Sequence, residues 1–260
     1  MRRLVAFWPA LICVAALSAQ SLPNLYHSEA YGDPDFLSGP GWTPLLNQRD
    51  LTGWMGRDGK AHEWFTTKAV RWQRIMNPGR LTATAQPGDR IVNGSTGKTA
   101  DLVTTGKFGD VELYLEFMTA KTSNSGVYLH GLYEVQVFDS FGFQGPLMVG
   151  DCGGIYDGEN FGGSPPLVNA CQAPGTWQSL HIWFLAPRFD GAGKKTGNAR
   201  FLRVLLNGLL VQNDFEVPGG TVSHLQIPEA PTNPLMLQGD HSAIAYRSIY
   251  IRPFSEGRAH

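Results

Sequence analysis

The residues best suited to chemistry lie in Asn124–Ser140, which reads NSGVYLHGLYEVQVFDS. In its second half, Glu134 and Gln136 alternate with apolar residues, so on a β-strand this carboxylate and amide share one face. In its first half, the same alternation turns Tyr128 and His130 away from the core side. If the two runs pair, these four side chains form a polar, partly aromatic floor that suits a sugar-sized ligand. An antiparallel sheet with one solvated face has the same pattern, and spacing alone leaves both interpretations open.

A second pair of carboxylates follows the same two-residue period. The run Val111–Met118 (VELYLEFM) directs Val111, Leu113, Leu115 and Phe117 to one side and Glu112 and Glu116 to the other. Two carboxylates on one strand face could act as an acid and a base. A solvated face explains them as well, and it is the interpretation that the pattern favours.

The composition indicates the elements that must position these residues. The 260 residues include 31 glycines and 17 prolines, charged residues make up only 17%, and a hydrophobic content of 42% supports a sizeable core. This mixture favours many short strands joined by turns over long helices. Arg200–Asn213 is the clearest hairpin, because Asn207-Gly208 is a favoured two-residue turn between apolar runs. We therefore predict an all-β fold of two antiparallel sheets packed face to face.

Charge and targeting signals limit the partners. The formal net charge is −1 and no basic stripe occurs, which argues against nucleic-acid binding. The N-terminus, MRRLVAFWPALICVAALSAQ, combines two arginines, a short apolar run and a small-residue cleavage site. We predict a signal peptide over residues 1–19 and a lead-in over residues 20–41, and hence an exported protein without stable membrane insertion after cleavage. An uncleaved N-terminal anchor is the alternative.

Two cysteines, Cys152 and Cys171, remain after removal of the predicted signal peptide. In an exported chain they are a natural disulfide pair. The bond would close a glycine-rich loop and contribute about 3 kcal/mol by the loop-entropy estimate. The alternative is a pair of buried free thiols.

Five blocks of the chain, taken together, resemble the 3-keto-disaccharide hydrolase family. They are LLNQRDLTGW, SNSGVYLHGLYEVQVFDS, CGGIYDGENFGGSPPLVNACQAPGTWQSLHIWFLAPRF, VLLNGLLVQN and PLMLQGDHSAIAYRSIYIRPF. The resemblance covers Trp42–Phe254 and defines a predicted domain over residues 42–256. It implies a concanavalin-like jelly roll at the cell surface or in the periplasm, and action on glycosides whose glucose ring carries a ketone at C3.

A ketone at C3 makes the hydrogen on C2 acidic, because the negative charge left by its removal spreads onto the ketone oxygen. A base can take that proton, the enolate can expel the glycosidic oxygen from C1, and water can add to the resulting alkene. This route needs a base, a group that stabilises an oxyanion and an acid for the leaving group. It does not need the paired carboxylates of ordinary glycosidases.

The resemblance directs this chemistry to particular residues. Glu134, in YEVQV, is the first candidate for the base or a metal ligand, and Gln136 would bind the sugar from the same face. His130 takes a position where the family carries arginine, and either side chain could stabilise an enolate oxygen. His241, in LQGDHSA, matches a family histidine that is usually followed by glycine, and it could act as an acid/base group or a metal ligand. Gln238 lies three residues before it.

Further candidates are less specific. Tyr128, Tyr156 and Trp64 could bind or stack on a sugar, and Asp139 could orient a partner or a cation. A divalent metal ion held by Glu134 and His241 could polarise the ketone. For the histidines a hydrogen-bonded structural role remains open, for the rings core packing, and for Asp139 the capping of a turn.

Fold alone does not separate an enzyme from its alternatives. A noncatalytic carbohydrate-binding module would keep surface aromatic residues and lose the base. A structural or interaction domain would show a large exposed apolar patch and no polar cleft. The combination of Glu134 with His241 favours the enzyme, with carbohydrate as its partner.

Overall fold

The computed structural model describes residues 33–254, in which antiparallel strands dominate and no α-helix occurs. The predicted signal peptide lies outside the described residues, as does most of the predicted lead-in. Within that range no helix is long and apolar enough to cross a membrane. Two short 3-10 turns are present, Asp35–Ser38 and Arg57–Gly59. The strands are β1 (Thr43–Pro44), β2 (Trp54–Gly56), β3 (Phe65–Thr67), β4 (Arg71–Trp72), β5 (Leu81–Thr82), β6 (Arg90–Val92), β7 (Leu102–Thr104), β8 (Val111–Thr119), β9 (Asn124–Leu129), β10 (Tyr133–Phe138), β11 (Trp177–Leu185), β12 (Arg188–Phe189), β13 (Lys195–Gly197), β14 (Ala199–Leu206), β15 (Leu209–Val217), β16 (Met236–Leu237) and β17 (Ile244–Pro253).

Two sheets form the sandwich. The larger has eight strands in the order β15-β14-β11-β8-β17-β6-β3, with β1 added alongside β17, and the smaller has five strands in the order β10-β9-β16-β7-β2. Every pairing between the strands is antiparallel, and two small hairpins, β4–β5 and β12–β13, lie outside the sheets. The predicted all-β jelly-roll sandwich is confirmed.

The core fills the space between the two sheets. Leu113, Leu115 and Phe117 of β8 are fully buried there, as their alternation predicts, and Val135 and Val137 of β10 meet them from the smaller sheet. Because each strand alternates, one face of the smaller sheet is committed to this core. Its other face is free to carry polar groups.

The predicted hairpin is present between β14 and β15. Asn207 and Gly208 both have positive φ, +53° and +78°, as the favoured two-residue turn requires. Asn207 also donates a side-chain hydrogen bond to the carbonyl oxygen of Ala170. The turn therefore anchors part of the glycine-rich segment as well.

The outward side of β8 differs from the solvated face that its pattern favours. Glu116 accepts hydrogen bonds from Arg247 and Tyr114, and Glu112 accepts them from His181 and Arg252. Both carboxylates are buried. Burial acts to raise the pKa of Glu112, but the bonds from His181 and Arg252 outweigh it and lower that pKa. These glutamates therefore serve as ion-pair partners on the larger sheet.

Candidate active site

The outer face of the five-stranded sheet, which we call the polar face, carries the first candidates. Strand pairing sets Glu134 of β10 directly opposite Tyr128 of β9, and Gln136 directly opposite Gly126. Residues directly opposite in an antiparallel pair lie on the same face. The predicted sharing of one face by Glu134, Gln136 and Tyr128 is therefore present.

On the far side of β9, backbone hydrogen bonds continue the pairing past the ends of the short strands β16 and β2. The backbone N–H of Gln238 donates to the carbonyl oxygen of Gly126, and that of Arg57 donates to the carbonyl oxygen of Asp101. The amide of Gln136 donates to Asn124 Oδ1 over 2.9 Å. Gln238 is 6% exposed, and its Oε1 has no partner among the described residues. Gln136, Asn124 and Gln238 thus form a row of amides along the polar face.

Gly126 makes room for the Glu134 carboxyl group. A Cβ atom at position 126 would lie 2.0 Å from Glu134 Oε1. The side chain of Glu134 therefore leans across the backbone of β9 at Gly126. The glycine of the NSGVY segment is explained by this close approach.

Glu134 is only 3% exposed, yet it lies outside the apolar core. Burial raises its pKa to about 8, a hydrogen bond from Tyr128 partly opposes that shift, and the negative charges of Asp101 and Asp240 add to it. Burial and the nearby Glu134 charge hold the pKa of Tyr128 well above its usual range, so its hydroxyl group stays protonated. A carboxyl group with a pKa near 8 is a stronger base than an ordinary glutamate and can exchange protons near neutral pH.

An open depression of about 500 Å³ adjoins this face at the β2–β7 side. Its polar lining includes Arg57, Asp58, Lys60, Lys98, Asp101 and Asp240. Positive and negative side chains are mixed, and no aromatic ring of residues 33–254 takes part in the lining. The volume is within the range of small-ligand sites.

His241 directly follows Asp240, which lines the depression, and its side chain is 46% exposed. Its Nδ1 forms a hydrogen bond with the carboxylate of the neighbouring Asp240. Asp240 in turn lines the depression and contributes its charge to Glu134. Asp240 thus interacts with both groups, by a hydrogen bond with His241 and by its charge with Glu134, and among the described residues no hydrogen bond joins Glu134 to His241.

Tyr156 flanks Glu134 on the outer edge of β10. Its backbone N–H donates to the carbonyl oxygen of Glu134, and Gln136 exchanges backbone bonds with Gly153 and Gly154. Ile155 between them is buried in the core. Alternation therefore directs the half-buried Tyr156 toward the polar face, where its role as a sugar platform remains a prediction.

The structure places His130 away from the other candidates. Strand β9 ends at Leu129, and His130 has a positive φ of +57°, so the alternation that put it beside Tyr128 does not continue. Its ring is 2% exposed and lies 5.2 Å from the ring of Phe184, which belongs to the core. Burial lowers the pKa of His130 to about 4. The expectation that His130 faces the sugar is corrected accordingly.

The contacts of Trp64 and Asp139 indicate structural roles for both side chains. Trp64 is buried and donates its indole N–H to the carbonyl oxygen of Ala100, so neither ring face is open to a sugar. Asp139 accepts a hydrogen bond from the backbone N–H of Thr122 and forms an ion pair with Lys121 at 3.1 Å. It caps the β8–β9 turn, which was the alternative to ligand binding.

The predicted disulfide is not present, because Cys152 and Cys171 are free and buried thiols. They are close enough for one thiol to donate a hydrogen bond to the other, which raises the pKa of Cys152 and lowers that of Cys171. Cys171 Sγ also contacts the carbonyl oxygen of Phe138 at 3.4 Å. The pair therefore packs against the end of β10 without a covalent bond.

The donor set does not fit the predicted metal ion. Among residues 33–254, no group of three or more His, Cys, Asp or Glu side chains is arranged to hold one. Glu134 lies buried against Gly126, whereas the side chain of His241 is exposed and bonded to Asp240. We therefore assign no step to a metal.

Sequence reasoning missed Arg57, Asp101 and Asp240. Arg57 and Asp101 lie in short irregular segments whose sequence has no period that signals a shared face, and strand pairing between distant segments brings them together. Asp240 could have been found, because it precedes the candidate His241 in LQGDHSA.

The protein is thus a jelly-roll sandwich whose smaller sheet carries buried amides and carboxyl groups on its outer face. A family model described as the 3-keto-alpha-glucoside-1,2-lyase-like domain matches residues 41–252, and the chain belongs to this family. Comparison with curated proteins finds no match.

Solved structures from Parabacteroides distasonis ATCC 8503 are similar. One proposed glycosyl hydrolase has 26% sequence identity and a TM-score of 0.60, with 83% of this chain and 84% of that chain covered. A second proposed glycosyl hydrolase from this organism has 18% identity and a TM-score of 0.56, with 86% and 98% covered, and supports the fold.

Proposed function

We propose that the protein is an exported enzyme that cleaves 3-keto-glycosides by removing the C2 proton and eliminating the group at C1. The observation that carries this proposal is the Glu134 carboxyl group, buried on the polar face with a pKa of about 8. Family membership and the similarity to a proposed glycosyl hydrolase support carbohydrate as the substrate. A single strong base is what α-proton removal requires.

In this mechanism Glu134 acts in its ionised form and takes the proton from C2. The electrons of the C2–H bond pass into the enolate, whose negative charge rests on the C3 oxygen. Gln136 has a second amide hydrogen besides the one donated to Asn124, and it can stabilise that oxygen. Re-formation of the ketone then breaks the C1–O bond and leaves a double bond between C1 and C2.

The leaving oxygen needs a proton, and in this mechanism the exposed His241 supplies it. Its Nδ1 is held by Asp240, which leaves Nε2 as the nitrogen that can meet the substrate. Water then adds to C1, and C2 takes a proton, so that the released sugar again carries its C3 ketone. The departing group would occupy the depression next to Asp240.

The test is release of the aglycone from a 3-keto-glucoside, in deuterated water, with unfolding followed in parallel. We expect Glu134→Gln to lower kcat by roughly a thousandfold or more, as loss of a general base does, and to leave the fold intact. Glu159→Gln is the matched control, because Glu159 is exposed in a loop. Wild-type activity should rise with pH toward about 8 as Glu134 ionises.

Deuterium at C2 of the sugar distinguishes elimination from direct hydrolysis. Incubation of the free 3-keto sugar with Glu134→Gln measures the exchange that occurs without the base. Full activity of Glu134→Gln would remove this residue from the mechanism. Binding of the 3-keto-glucoside without turnover by the wild type would instead identify a noncatalytic module.

A further inference from the structure

The buried carboxylate of Asp101, directly before β7, joins two other segments of the chain by hydrogen bonds. Asp101 is 4% exposed and precedes β7. Its Oδ1 accepts the backbone N–H of Gly239 over 2.9 Å, and its Oδ2 accepts Arg57 Nη1 over 3.1 Å. One side chain thus holds two separate parts of the chain against the polar face.

Arg57 extends this connection to a third segment. Its Nη1 donates to the carbonyl oxygen of Ser223 at 2.8 Å, and its Nη2 donates to that of His224 at 2.6 Å. The carbonyl oxygen of the preceding Val222 lies 3.3 Å from the hydroxyl oxygen of Tyr128. The Asp101–Arg57 pair therefore fixes the loop against which Tyr128, the neighbour of Glu134, is placed.

The hydrogen bond from the Gly239 backbone N–H to Asp101 fixes a further segment of the chain. Gly239 lies between Gln238 and Asp240, and its carbonyl oxygen accepts the backbone N–H of Thr99 and the amide of Asn93. A Cβ at position 239 would lie 2.8 Å from Trp64 Nε1, so this turn has little freedom to shift. Asp101 consequently fixes the segment that carries Gln238, Asp240 and His241.

Several charged or titratable groups face Glu134. They are Tyr128 on β9, Tyr156 on the outer edge of β10, Asp240 after β16, Tyr246 beneath the sheet, and Asp101 with its partner Arg57. Burial raises the pKa of Tyr128 and of Tyr246, so both hydroxyl groups are neutral near pH 8. The charges that act on Glu134 are therefore those of Asp101 and Asp240, and Arg57 is the ion-pair partner of Asp101.

We propose that Asp101 is a positioning residue of the proposed reaction, which holds the Gly239 turn and, as the negative member of its ion pair with Arg57, the 222–224 loop. This role rests on the proposed function. It predicts opposite effects for the two members of the pair. A nearby negative charge makes ionisation of Glu134 harder, whereas a nearby positive charge makes it easier.

The experiment compares Asp101→Asn and Arg57→Gln in the full-length protein. The readouts are the pH profile of kcat/KM for aglycone release and a ¹³C NMR titration of the Glu134 carboxyl group, assigned by its loss in Glu134→Gln. We expect Asp101→Asn to move the Glu134 titration down by roughly half a pH unit or more, and Arg57→Gln to move it up by a similar amount. We also expect kcat/KM at pH 8 to fall at least tenfold in both variants.

Asp214→Asn is the matched control, because Asp214 forms an ion pair with Arg200 on the larger sheet and its positive φ suits asparagine. It should leave the titration and the rate unchanged. Shifts of equal sign, or none, in Asp101→Asn and Arg57→Gln would overturn the proposal. If Asp101→Asn does not fold, two other variants replace it. An upward shift of the Glu134 titration in Arg57→Gln, with no shift in Asp101→Glu, would then support the proposal, and any other result would overturn it.

The two proposals fail separately. Turnover by the wild type with no opposite shifts would keep the proposed function and remove the role of Asp101. Opposite shifts by NMR in a protein that cleaves no 3-keto-glucoside would remove the proposed function and, because the positioning role rests on it, leave only the electrostatic coupling of Asp101 to Glu134.

Discussion

Glu134 on β10 lies directly opposite Tyr128 on β9, and its carboxyl group leans over the bare backbone of Gly126. The phenol supplies a hydrogen bond, and the missing side chain supplies the space. Together they allow a carboxyl group to be buried on the open side of a sheet without entering the apolar core. The following expectations depend on this arrangement.

Gly126→Ala should displace the Glu134 carboxyl group. The new methyl group would lie 2.0 Å from Oε1 in the present arrangement, so the carboxyl group must move. We expect kcat for aglycone release to fall about a hundredfold, the scale typical of a small misplacement of a reacting group. Gly162→Ala is the control, since nothing lies within 4 Å of its added Cβ. Equal activity of the two variants would contradict this placement of Glu134.

Glu134→Gln should stabilise the fold as the pH rises. The pKa of Glu134 is raised from its ordinary 4.5 to about 8, so its contribution to stability is fully present below pH 4.5 and is lost as pH rises through 8. A neutral glutamine avoids that loss, which is on the order of a few kcal/mol. Thermal unfolding at pH 5 and pH 8.5 should show a Tm difference that grows with pH. If the Tm of the wild type and that of Glu134→Gln depend on pH in the same way, the pKa of Glu134 is not raised by burial.

His130 should affect acid stability and not catalysis. Its pKa is lowered from 6.5 to about 4, so the folded state resists protonation and loses stability as pH falls from 6.5 toward 4. His130→Asn, which suits the positive φ, should remove this acid-dependent loss, at some cost in packing against Phe184. Chemical denaturation at pH 7 and pH 4.5 measures the effect. A loss of kcat above a hundredfold at pH 8 would restore His130 to the site.

The thiols of Cys152 and Cys171 should be protected in the folded protein. Both are buried, and each contacts the other. Alkylation without reductant should label neither residue in the native state and both after unfolding, as peptide mass spectrometry can show. Failure to label the unfolded protein until a reductant is added would establish the disulfide that the sequence predicts.

Patterns within single segments predicted much of this molecule. The alternation in Tyr133–Phe138 and Val111–Met118 gave the correct strands, and Asn207-Gly208 gave the correct hairpin. Such patterns work because a strand's side-chain period is local and depends on few neighbours. They failed at His130, where one residue with positive φ ended the period.

The sequence by itself determined the β-sandwich, the family resemblance and the strand face that carries Glu134 and Gln136. Only the tertiary structure decided that Asp101, Arg57 and Gly239 meet beside that face, that Glu112 and Glu116 are ion-paired, and that Trp64 is buried. Those outcomes depend on pairing between segments far apart in the chain. Local spacing carries no information about such pairing, and the burial that sets the basicity of Glu134 arises only when the segments close over it.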